Sequence, residues 1–328
     1  MTKLTRRSLI AATAASTAAL AATRTIAAEP AAPSLKGKSI LITGASSGFG
    51  RIGAEYYARL GAKVFATMRG LPRAEGNELV DLAAAQKLDI TVLPLDVTND
   101  AQVIETVAYA ERMAGGALDV VINNAGIGQS GPIEVQDMEA MHLAFDTNVY
   151  GVQRLMRAAL PAMRQRKSGL IFNISSQLGR VIIPSGGPYS ATKFALEALS
   201  EQAAYELVPH GVEVCIIQPG GYPTKVWSNR NRYNQELKGR IDAERAAAYG
   251  ALVARMGTET GGGRSADPLD VPKAIAEIIA LPAGRRPLRR AVHPGNRPQE
   301  AINRVSAETQ LAMLGNSPLG PWVKAVHD

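Results

Sequence analysis

Residues 39–50 read SILITGASSGFG, a short apolar run followed by a threonine and then by glycines at 44, 48 and 50. The run is typical of a buried strand, and the residues after Gly48 have a helical pattern. A glycine turn between a strand and a helix can bring backbone N–H groups up to a pyrophosphate, although tight turns also need glycine for conformational reasons alone. We expect a nucleotide to bind this turn through Gly44, Ser46, Ser47, Gly48, Phe49 and Gly50.

Short β-branched runs alternate with helical patterns from Leu35 onward. The runs are at residues 39–43, 63–67, 90–95, 119–123, 170–175, 213–218 and 290–293, and the helical patterns are near 50–60, 76–87, 99–113, 137–166, 189–210 and 268–281. This alternation predicts an α/β fold, a doubly wound parallel sheet of about seven strands with helices on both faces. Ligands of such sheets lie at the carboxyl ends of the strands.

Tyr189 and Lys193 lie four residues apart at the start of a predicted helix. That spacing places both side chains on one helix face. A phenol that exchanges protons near neutral pH must have a pKa several units below its usual value of about 10, and an adjacent ammonium lowers that pKa. The spacing alone is common on protein surfaces. It gains significance from Ser176, which lies upstream at the end of an apolar run.

The chain resembles the short-chain dehydrogenase/reductase family in motifs that occur in the family's order. They are the glycine turn, NNAG at residues 123–126, Asn148, Ser176 and the pair Tyr189 and Lys193. The turn has the spacing TGxxxGxG, which is the family's own variant of GxGxxG. The resemblance covers residues 35–294 and implies a Rossmann-like catalytic domain that transfers hydride between a nicotinamide cofactor and a carbonyl or secondary alcohol.

The resemblance also implies roles for single residues. Tyr189 is the general acid/base at the substrate oxygen, Lys193 lowers its pKa and bonds the nicotinamide ribose, and Ser176 holds the same oxygen. Asn148 holds a water that links the lysine to solvent. The remaining cofactor contacts fall after the third, fourth and sixth strands, at Asp96, Val97, Asn124, Pro219, Gly220 and Thr224. Apart from the resemblance, Asp96 and Asn124 are ordinary residues of a helix approach and a turn.

The end of the second strand indicates which nicotinamide cofactor binds. Sites for NAD place an acid there for the ribose 2′-hydroxyl, whereas a 2′-phosphate needs an arginine. Residues 65–69 read FATMR, so Met68 takes the discriminating position, with Arg69 beside it and Arg73 as a candidate second contact. We therefore expect NADP rather than NAD, with a solvated loop arginine as the alternative. The same run is similar to family members that act on steroids and retinoids.

Composition excludes several other functions. Four of the basic residues that give the net charge of +7 lie in residues 1–28, which hold no acid, so the rest of the chain carries +3. No basic patch with interleaved aromatic residues appears, and we exclude nucleic acid as a partner. The single cysteine, Cys215, lies in an apolar run as an inert core residue and cannot form a disulfide within the chain. Four scattered histidines give no support for a metal site.

Residues 1–30 have the layout of a secretory signal peptide. The pair Arg6 and Arg7 precedes a weakly apolar, alanine-rich segment and then small residues around Ala28. Paired arginines indicate the twin-arginine type, which exports proteins already folded, so we expect a periplasmic protein. The segment is too short and too rich in alanine for a membrane span, which takes roughly 20 apolar residues. A disordered or anchoring N-terminus, with a cytoplasmic protein, is the alternative.

The sequence becomes polar after Thr224, and we expect irregular structure through Asp267. In the resembled family the interval 222–267 forms a lid over the substrate. Its length indicates a substrate larger than a simple short alcohol, or else a mobile surface excursion.

The tail, residues 295–328, contains one amphipathic candidate helix. Ile302, Val305 and Ala312 lie on one side of it, suited to cover the core or a neighbouring subunit of a homo-oligomer, and Gly315 is a stop signal. Upstream of the tail, the four arginines at positions 285, 286, 289 and 290 are expected to form a solvated sheet edge.

These features support two functional hypotheses. The first is an NADP(H)-dependent oxidoreductase acting on a small-molecule carbonyl or alcohol. The second is a non-catalytic NADP-binding sensor or scaffold on the same fold. The intact set of Ser176, Tyr189 and Lys193 favours the enzyme, because such sensors commonly lose the tyrosine.

Overall fold

The computed structural model describes residues 32–327, so the predicted signal peptide lies outside the described residues. Within that range seven strands form one parallel sheet in the order β3-β2-β1-β4-β5-β6-β7. The strands are β1 (Ser39–Ile42), β2 (Lys63–Met68), β3 (Ile90–Pro94), β4 (Val120–Asn123), β5 (Gly169–Ile174), β6 (Val212–Pro219) and β7 (Arg289–Val292). The predicted doubly wound parallel sheet is therefore confirmed.

Helices connect the strands and cover both faces of the sheet. Their bounds are α1 (Gly48–Arg59), α2 (Ala74–Gln86), α3 (Asp100–Ala114), α4 (Met138–Phe145), α5 (Gly151–Arg166), α6 (Gly187–Leu207), α7 (Val226–Lys238), α8 (Ala243–Ala248), α9 (Gly250–Arg255), α10 (Asp270–Ala280), α11 (Gln299–Leu314) and α12 (Gly320–His327). No helix within residues 32–327 combines the length and apolarity needed to cross a bilayer.

Alternation along β1 shows how the sheet builds two apolar layers. Ile40 and Ile42 face the layer that includes Tyr57 of α1 and Ile275 of α10, whereas Leu41 between them faces the layer under α3, α5 and α6. Successive strand side chains point to opposite faces, and both faces are covered, so Ile40, Leu41 and Ile42 are all apolar. Cys215 of β6 is part of the first layer and only 1% exposed, as expected for an inert core thiol.

The predicted helix over 137–166 is interrupted. Residues Asp146–Tyr150 form a π-helical turn between α4 and α5. Such turns are rare and frequently occur at functional sites, because they redirect side chains relative to a regular helix. Here the turn contains Asn148, whose side chain is fully used in the site described below.

The expectation of irregular structure over 222–267 is wrong, because this interval forms α7, α8 and α9. Leu237, Val253 and Met256 pack with Val135 and Ala140 into a third apolar cluster. Each of these three helices has too few apolar residues for its sequence to show an amphipathic pattern. Packing against the segment before α4 stabilises helices that the local pattern does not predict.

The tail helix exists as α11 and ends at Leu314, before the predicted stop at Gly315. The prediction that Ile302 and Val305 cover the core is wrong, since these side chains are 39% and 52% exposed. The buried side instead carries the amides of Gln299 and Asn303, which bond Gln218 of β6. The helix therefore turns its polar face to the sheet, because Gln218 offers hydrogen-bond partners there.

Candidate active site

A cavity of about 690 Å³ opens at the carboxyl edge of the sheet, a size typical of ligand sites. Most of the site residues expected from the sequence line it, namely Gly44, Ser46, Ser47, Gly48, Phe49, Arg69, Asp96, Val97, Asn124, Ser176, Tyr189, Lys193, Pro219, Gly220 and Thr224. Gly50 and Asn148 lie directly behind the lining residues. The topology thus brings turns that are far apart in the sequence to one cleft, as expected for a doubly wound sheet.

The glycine turn after β1 is packed too tightly for a side chain at Gly44 or Gly50. A Cβ on Gly50 would lie 2.3 Å from the carbonyl oxygen of Gly44, and Gly44 itself has a φ of +70°. The amide Nδ2 of Asn124 donates to the Thr43 carbonyl at 2.8 Å. The Thr43 hydroxyl in turn accepts from the backbone N–H of Asn124 and of Ala125, at 3.0 and 2.9 Å. Thr43 and Asn124 therefore link the turns after the neighbouring strands β1 and β4 at the edge of the cleft.

The N-terminus of α1 points its first N–H groups into this cleft. Its N-cap residue, Ser47, makes no side-chain cap hydrogen bond, and the residues around it line the cavity. Unpaired N–H groups and the helix dipole together favour an anion at such an end. Gly44 and Gly50 let the turn pack closely against Asn124 and Ala125, and the N–H groups at the start of α1 are then placed to contact a pyrophosphate. These features fit a dinucleotide cofactor.

Arg69 follows β2 and lines the cleft, while its Nη2 donates to the hydroxyl of Tyr233 in α7 at 2.8 Å. That hydrogen bond raises the pKa of the guanidinium. Arg73 is paired with Glu75, with 2.9 Å between Nε and Oε2, so the expected second contact is engaged elsewhere. Met68 lines the cleft but is only 1% exposed, with its sulfur 3.5 Å from the Cβ position of Gly76.

Asp96 follows β3 and belongs to a rigid turn. Its Oδ1 accepts from the backbone N–H and the hydroxyl of Thr98 at 3.0 and 2.8 Å. Its own N–H donates to Gln102 at 2.9 Å. The other carboxylate oxygen of Asp96 has no such bond among the described residues, so it is available to a ligand donor in the cleft.

The amide of Asn148 braces the turn after β4. Its Oδ1 accepts from the N–H of Ile127 at 2.8 Å, and its Nδ2 donates to the Ile127 carbonyl at 2.9 Å and to the Thr192 hydroxyl at 3.1 Å. A Cβ on Gly126 would lie 3.1 Å from Asn148 Oδ1 and 3.9 Å from Lys193 Nζ. Asn148 therefore lies next to Lys193, as the resemblance to the family implies.

Ser176, Tyr189 and Lys193 converge above the end of β5. Lys193 Nζ lies 5.6 Å from the centre of the Tyr189 ring and donates to the Ile174 carbonyl at 2.7 Å. Burial lowers the pKa of Lys193 to about 8. Burial also raises the pKa of Tyr189, although a hydrogen bond with Ser176 and the charge of Arg230 oppose this. The expected fall in the tyrosine pKa is thus not seen in the protein alone, because the loss of solvent outweighs the neighbouring donors and charges.

The turn after β6 closes the far side of the cleft. The N–H of Gly220 donates to the Val292 carbonyl at 3.1 Å, and a Cβ on Gly220 would lie 2.6 Å from the His293 ring. Thr224 lies over the glycine turn, with its Cβ 3.5 Å from the Cβ position of Gly48. Pro219 and Gly220 therefore lie beside β7, and Thr224 reaches over the start of α1.

A buried ion-pair cluster, which the sequence analysis missed, lies one helical turn beyond Lys193. It consists of Glu197, Glu201 and Arg289, with Arg289 Nε 2.8 Å from Glu197 and Nη2 2.5 Å from Glu201. The Arg289 side chain is only 6% exposed, so the expectation of a solvated edge is wrong for this arginine. Arg286 is likewise partly buried and paired with Glu213. The sequence does contain a signal for this cluster. Glu197 and Glu201 lie on the same helix face as Lys193, and acids on a buried face need a cation as partner.

The cluster continues into the tail. Gln218 Nε2 donates to Glu197 at 2.9 Å, and Asn303 Nδ2 donates to Gln218 at 2.7 Å. Burial raises the pKa of Glu201, but bonds with His327 and Tyr205 and the charge of Arg289 outweigh it and lower the pKa to about 2. Helix α12 thus contacts the back of the helix that carries Tyr189 and Lys193, and α11 joins the same network through Gln218 of β6.

A second group that the sequence analysis missed is the lid arginine stack, formed by Trp227, Arg230 and Arg264. The Arg230 and Arg264 guanidinium carbons lie 4.4 and 3.7 Å from the Trp227 ring centre, and all three residues line the cavity. Arg230 also forms an ion pair with Glu259. Cations stacked on an indole are favourable without a full counter-charge.

No group of three or more potential metal ligands occurs among residues 32–327. A parallel doubly wound sheet with a glycine cradle and a Ser-Tyr-Lys group at its carboxyl edge defines a dinucleotide-binding α/β protein. The sequence model described as short chain dehydrogenase matches residues 38–235, more than half of the chain. The chain belongs to the short chain dehydrogenase family and is an oxidoreductase of that family.

Three relatives illustrate the range of similar proteins. The 3-ketodihydrosphingosine reductase of Bacteroides thetaiotaomicron is 40% identical over 192 residues, which are 58% of this chain and 66% of that protein. Retinol dehydrogenase 8 of Homo sapiens is 33% identical over 281 residues, 84% of this chain and 87% of that protein. The mitochondrial D-beta-hydroxybutyrate dehydrogenase of Mus musculus is 36% identical over 195 residues, 58% and 56%. The first and third matches span less than two thirds of those relatives.

Solved structures with this fold contain either nicotinamide cofactor. A short chain dehydrogenase/reductase from Burkholderia phymatum, in complex with NAD, has a TM-score of 0.66 and 26% identity and covers 86% of this chain and 96% of that one. A metagenomic short-chain oxidoreductase in complex with NADP has a TM-score of 0.61 and 25% identity and covers 80% and 99%. A nicotinamide cofactor is therefore supported, and these neighbours do not distinguish NAD from NADP.

Proposed function

We propose that the protein is an NADP(H)-dependent oxidoreductase that interconverts a carbonyl compound and a secondary alcohol. The convergence of Ser176, Tyr189 and Lys193 beside the glycine cradle carries this proposal. The relatives named above point in the same direction, since their names specify a keto compound, a retinol and a hydroxy acid.

The chain's own residues handle the proton and the geometry. When bound, the cofactor supplies or accepts the hydride at the carbonyl carbon. The Tyr189 hydroxyl gives its proton to the carbonyl oxygen during reduction and takes it back during oxidation, so that one hydride and one proton are exchanged. Ser176 donates a hydrogen bond to the same oxygen as negative charge develops there. Lys193, held by the Ile174 carbonyl, supplies the positive charge that stabilises the phenolate.

The test is Tyr189→Phe, which removes a proton and little shape. We expect kcat for ketone reduction to fall by about 100-fold or more, as for loss of a general acid, with NADPH binding nearly unchanged. Tyr205→Phe is the matched control, because Tyr205 lies on the same helix and bonds Glu201 away from the cleft. Retention of more than a third of the wild-type kcat by Tyr189→Phe would rule out the role.

The rival function is a non-catalytic NADP-binding sensor or scaffold. It keeps the cofactor cradle and requires no turnover. A wild-type protein that binds NADPH but leaves a panel of ketones and secondary alcohols unchanged, followed by absorbance of the nicotinamide, would favour this rival.

NADP is the proposed cofactor because Arg69 stands at the end of β2 where an NAD site has an acid. Its hydrogen bond to Tyr233 occupies Nη2 alone, which leaves other guanidinium donors for a 2′-phosphate. A guanidinium binds phosphate through charge-assisted hydrogen bonds.

We also infer export by the twin-arginine route, on the sequence of residues 1–30 alone. Replacing Arg6 and Arg7 with lysines should leave uncleaved precursor inside the cell. Processed protein from this variant outside the inner membrane would contradict the inference.

A further inference from the structure

Arg230 of α7 stands close to the reacting groups. Its Cδ lies 3.1 Å from the Cβ position of Gly128, and the Cβ position of Gly126, two residues earlier, is 3.9 Å from Lys193 Nζ. One short piece of backbone after β4 therefore contacts both cations. Arg230 and Tyr189 line the same cavity, and the charge of Arg230 opposes the rise in the Tyr189 pKa that burial causes.

The wall of the cleft around Arg230 is cationic. Arg230, Arg255 and Arg264 all line it, and Glu259 is the acid that lines it on this side, among residues 32–327. Arg264 stacks on Trp227 and Arg255 is exposed, and neither belongs to an ion pair within the described residues. This side of the cavity thus has an excess of positive charge, which concentrates anions in a cleft with low-dielectric walls.

The bonding of Arg230 is incomplete. Its side chain is 17% exposed and pairs through Nη2 with Glu259, whose side chain is 48% exposed. Its Nε is buried and makes no hydrogen bond. Glu259 lies after α9 in a lid segment without helix or strand, so the carboxylate that Arg230 holds is one that another carboxylate can replace.

We propose that the substrate of this site is an oxo acid or hydroxy acid, and that Arg230 binds its carboxylate in place of Glu259 while the carbonyl or hydroxyl lies at Tyr189. A guanidinium recognises a carboxylate through two parallel hydrogen bonds, which also fix its orientation. The proposal rests on the proposed carbonyl reduction and adds the substrate class to it. Arg230 is then the residue that distinguishes acids from neutral ketones.

The experiment uses the full chain with NADPH and measures kcat/KM for the β-, γ- and δ-oxohexanoates and for their methyl esters. We expect the best acid to exceed its ester by about tenfold or more. Arg230→Met should lower the ratio of kcat/KM for that acid to kcat/KM for its ester by about 10- to 100-fold, the range of a hydrogen bond to a charged group. Glu259→Gln should lower KM for the acid alone, because it removes the competing carboxylate.

Arg232→Met is the matched control. Arg232 lies on the same helix and stacks on Tyr233 at 4.5 Å, as Arg230 stacks on Trp227, but its side chain is 55% exposed and pairs with Glu236. This variant should keep the wild-type ratio of acid to ester. The ratio is measured within each protein, so partial misfolding of a variant does not change it.

Two outcomes would overturn the proposal, and they are distinguishable. Acids and esters reduced equally well by the wild type, or a ratio that Arg230→Met leaves unchanged, would refute the carboxylate site and leave carbonyl reduction standing. No reduction of either series, nor of simple neutral ketones, would refute the proposed function itself.

Discussion

Arginines meet carboxylates in two regions of this molecule, and the two regions differ in how the charge is compensated. In the buried ion-pair cluster, Arg289 is 6% exposed and bonds both Glu197 and Glu201. In the lid arginine stack, Arg230 has one partner, the half-exposed Glu259. In the first arrangement two buried carboxylates compensate one guanidinium, whereas in the second the single carboxylate is half exposed.

The difference separates a structural role from a binding role. Removing one partner of a buried pair leaves an uncompensated charge in a poor solvent, which costs several kcal/mol. A part-exposed pair contributes about 0–1 kcal/mol, because solvent screens it. The cluster is therefore expected to determine stability, whereas the stack is expected to determine which substrates bind.

The largest expected effect is on folding. Arg289→Met should lower the free energy of unfolding by about 3–5 kcal/mol, because it leaves two carboxylates buried without a cation. Urea unfolding measures this loss. Arg290→Met is the neighbouring control, since Arg290 is 51% exposed and pairs with the exposed Glu277; we expect a loss below about 1 kcal/mol.

A combined variant tests the reason for this loss. Arg289→Met together with Glu197→Gln and Glu201→Gln should recover most of the stability, because it removes the stranded charges. If Arg289→Met loses no more than Arg290→Met, the cluster does not have the structural role given to it.

The next effect concerns Lys193, a buried cation without a buried acid bonded to it. Its pKa is about 8 in the folded protein, against 10.5 ordinarily. The unfolded chain thus binds the proton more tightly, so protonation favours unfolding and stability should rise as the pH increases from about 8 towards 10.5. We expect a gain of about 2 kcal/mol between about pH 7.5 and about pH 9.5 for the cofactor-free protein.

Lys193→Met isolates this effect from other titrations. The difference in unfolding free energy between parent and variant should change over that pH range. An equal pH dependence for both proteins would mean that the lysine is not desolvated as the structure indicates.

The last of these effects concerns Arg69, which is exposed and bonded to a neutral tyrosine. Arg69→Ala should weaken NADP binding by roughly 10- to 150-fold, as for loss of charge-assisted hydrogen bonds, and leave NAD binding almost unchanged. The measurement is kcat/KM for each cofactor at one ionic strength, because salt screens exposed charges.

Arg73→Ala is the control for Arg69, since Arg73 is paired with Glu75 and should change NADP binding less. A wild type that prefers NAD would refute the assignment. An acid at Met68 would not test the assignment cleanly, because that side chain is buried and a carboxylate there would also destabilise the fold.

The glycine turn and the pair Tyr189 and Lys193 were predictable from the sequence because the signals for them are local. The glycine turn at Gly44–Gly50 lies between a buried strand and a helix, and Tyr189 and Lys193 share a helix face by spacing alone. In a parallel sheet the turns after the strands all lie at the carboxyl edge, so no further sequence signal is needed to predict that they meet. The placement of Asn124, Asn148 and Ser176 at that edge follows from topology.

The features that the sequence did not reveal depend on partners that are distant in the chain. Arg289 resembled a surface charge because Glu197 and Glu201 lie some ninety residues earlier. Helix α11 was predicted to bury Ile302, yet it buries Asn303 because Gln218 offers a hydrogen bond. Arg230 is unremarkable until α7 folds over the cleft. The charge and the amphipathic pattern of a segment predict which of its side chains are exposed only when no buried group elsewhere in the fold binds its polar side chains.

Cys215 gives this protein a built-in reporter of the central sheet. It lies on β6, 1% exposed, and burial raises the pKa of its thiol, so the native chain resists alkylation. The sequence contains no other cysteine. The rate at which a thiol reagent modifies the protein therefore records how often the sheet opens between β5 and β7, without any introduced label. Cofactor or substrate that slows this rate would reveal its binding even when no product is formed.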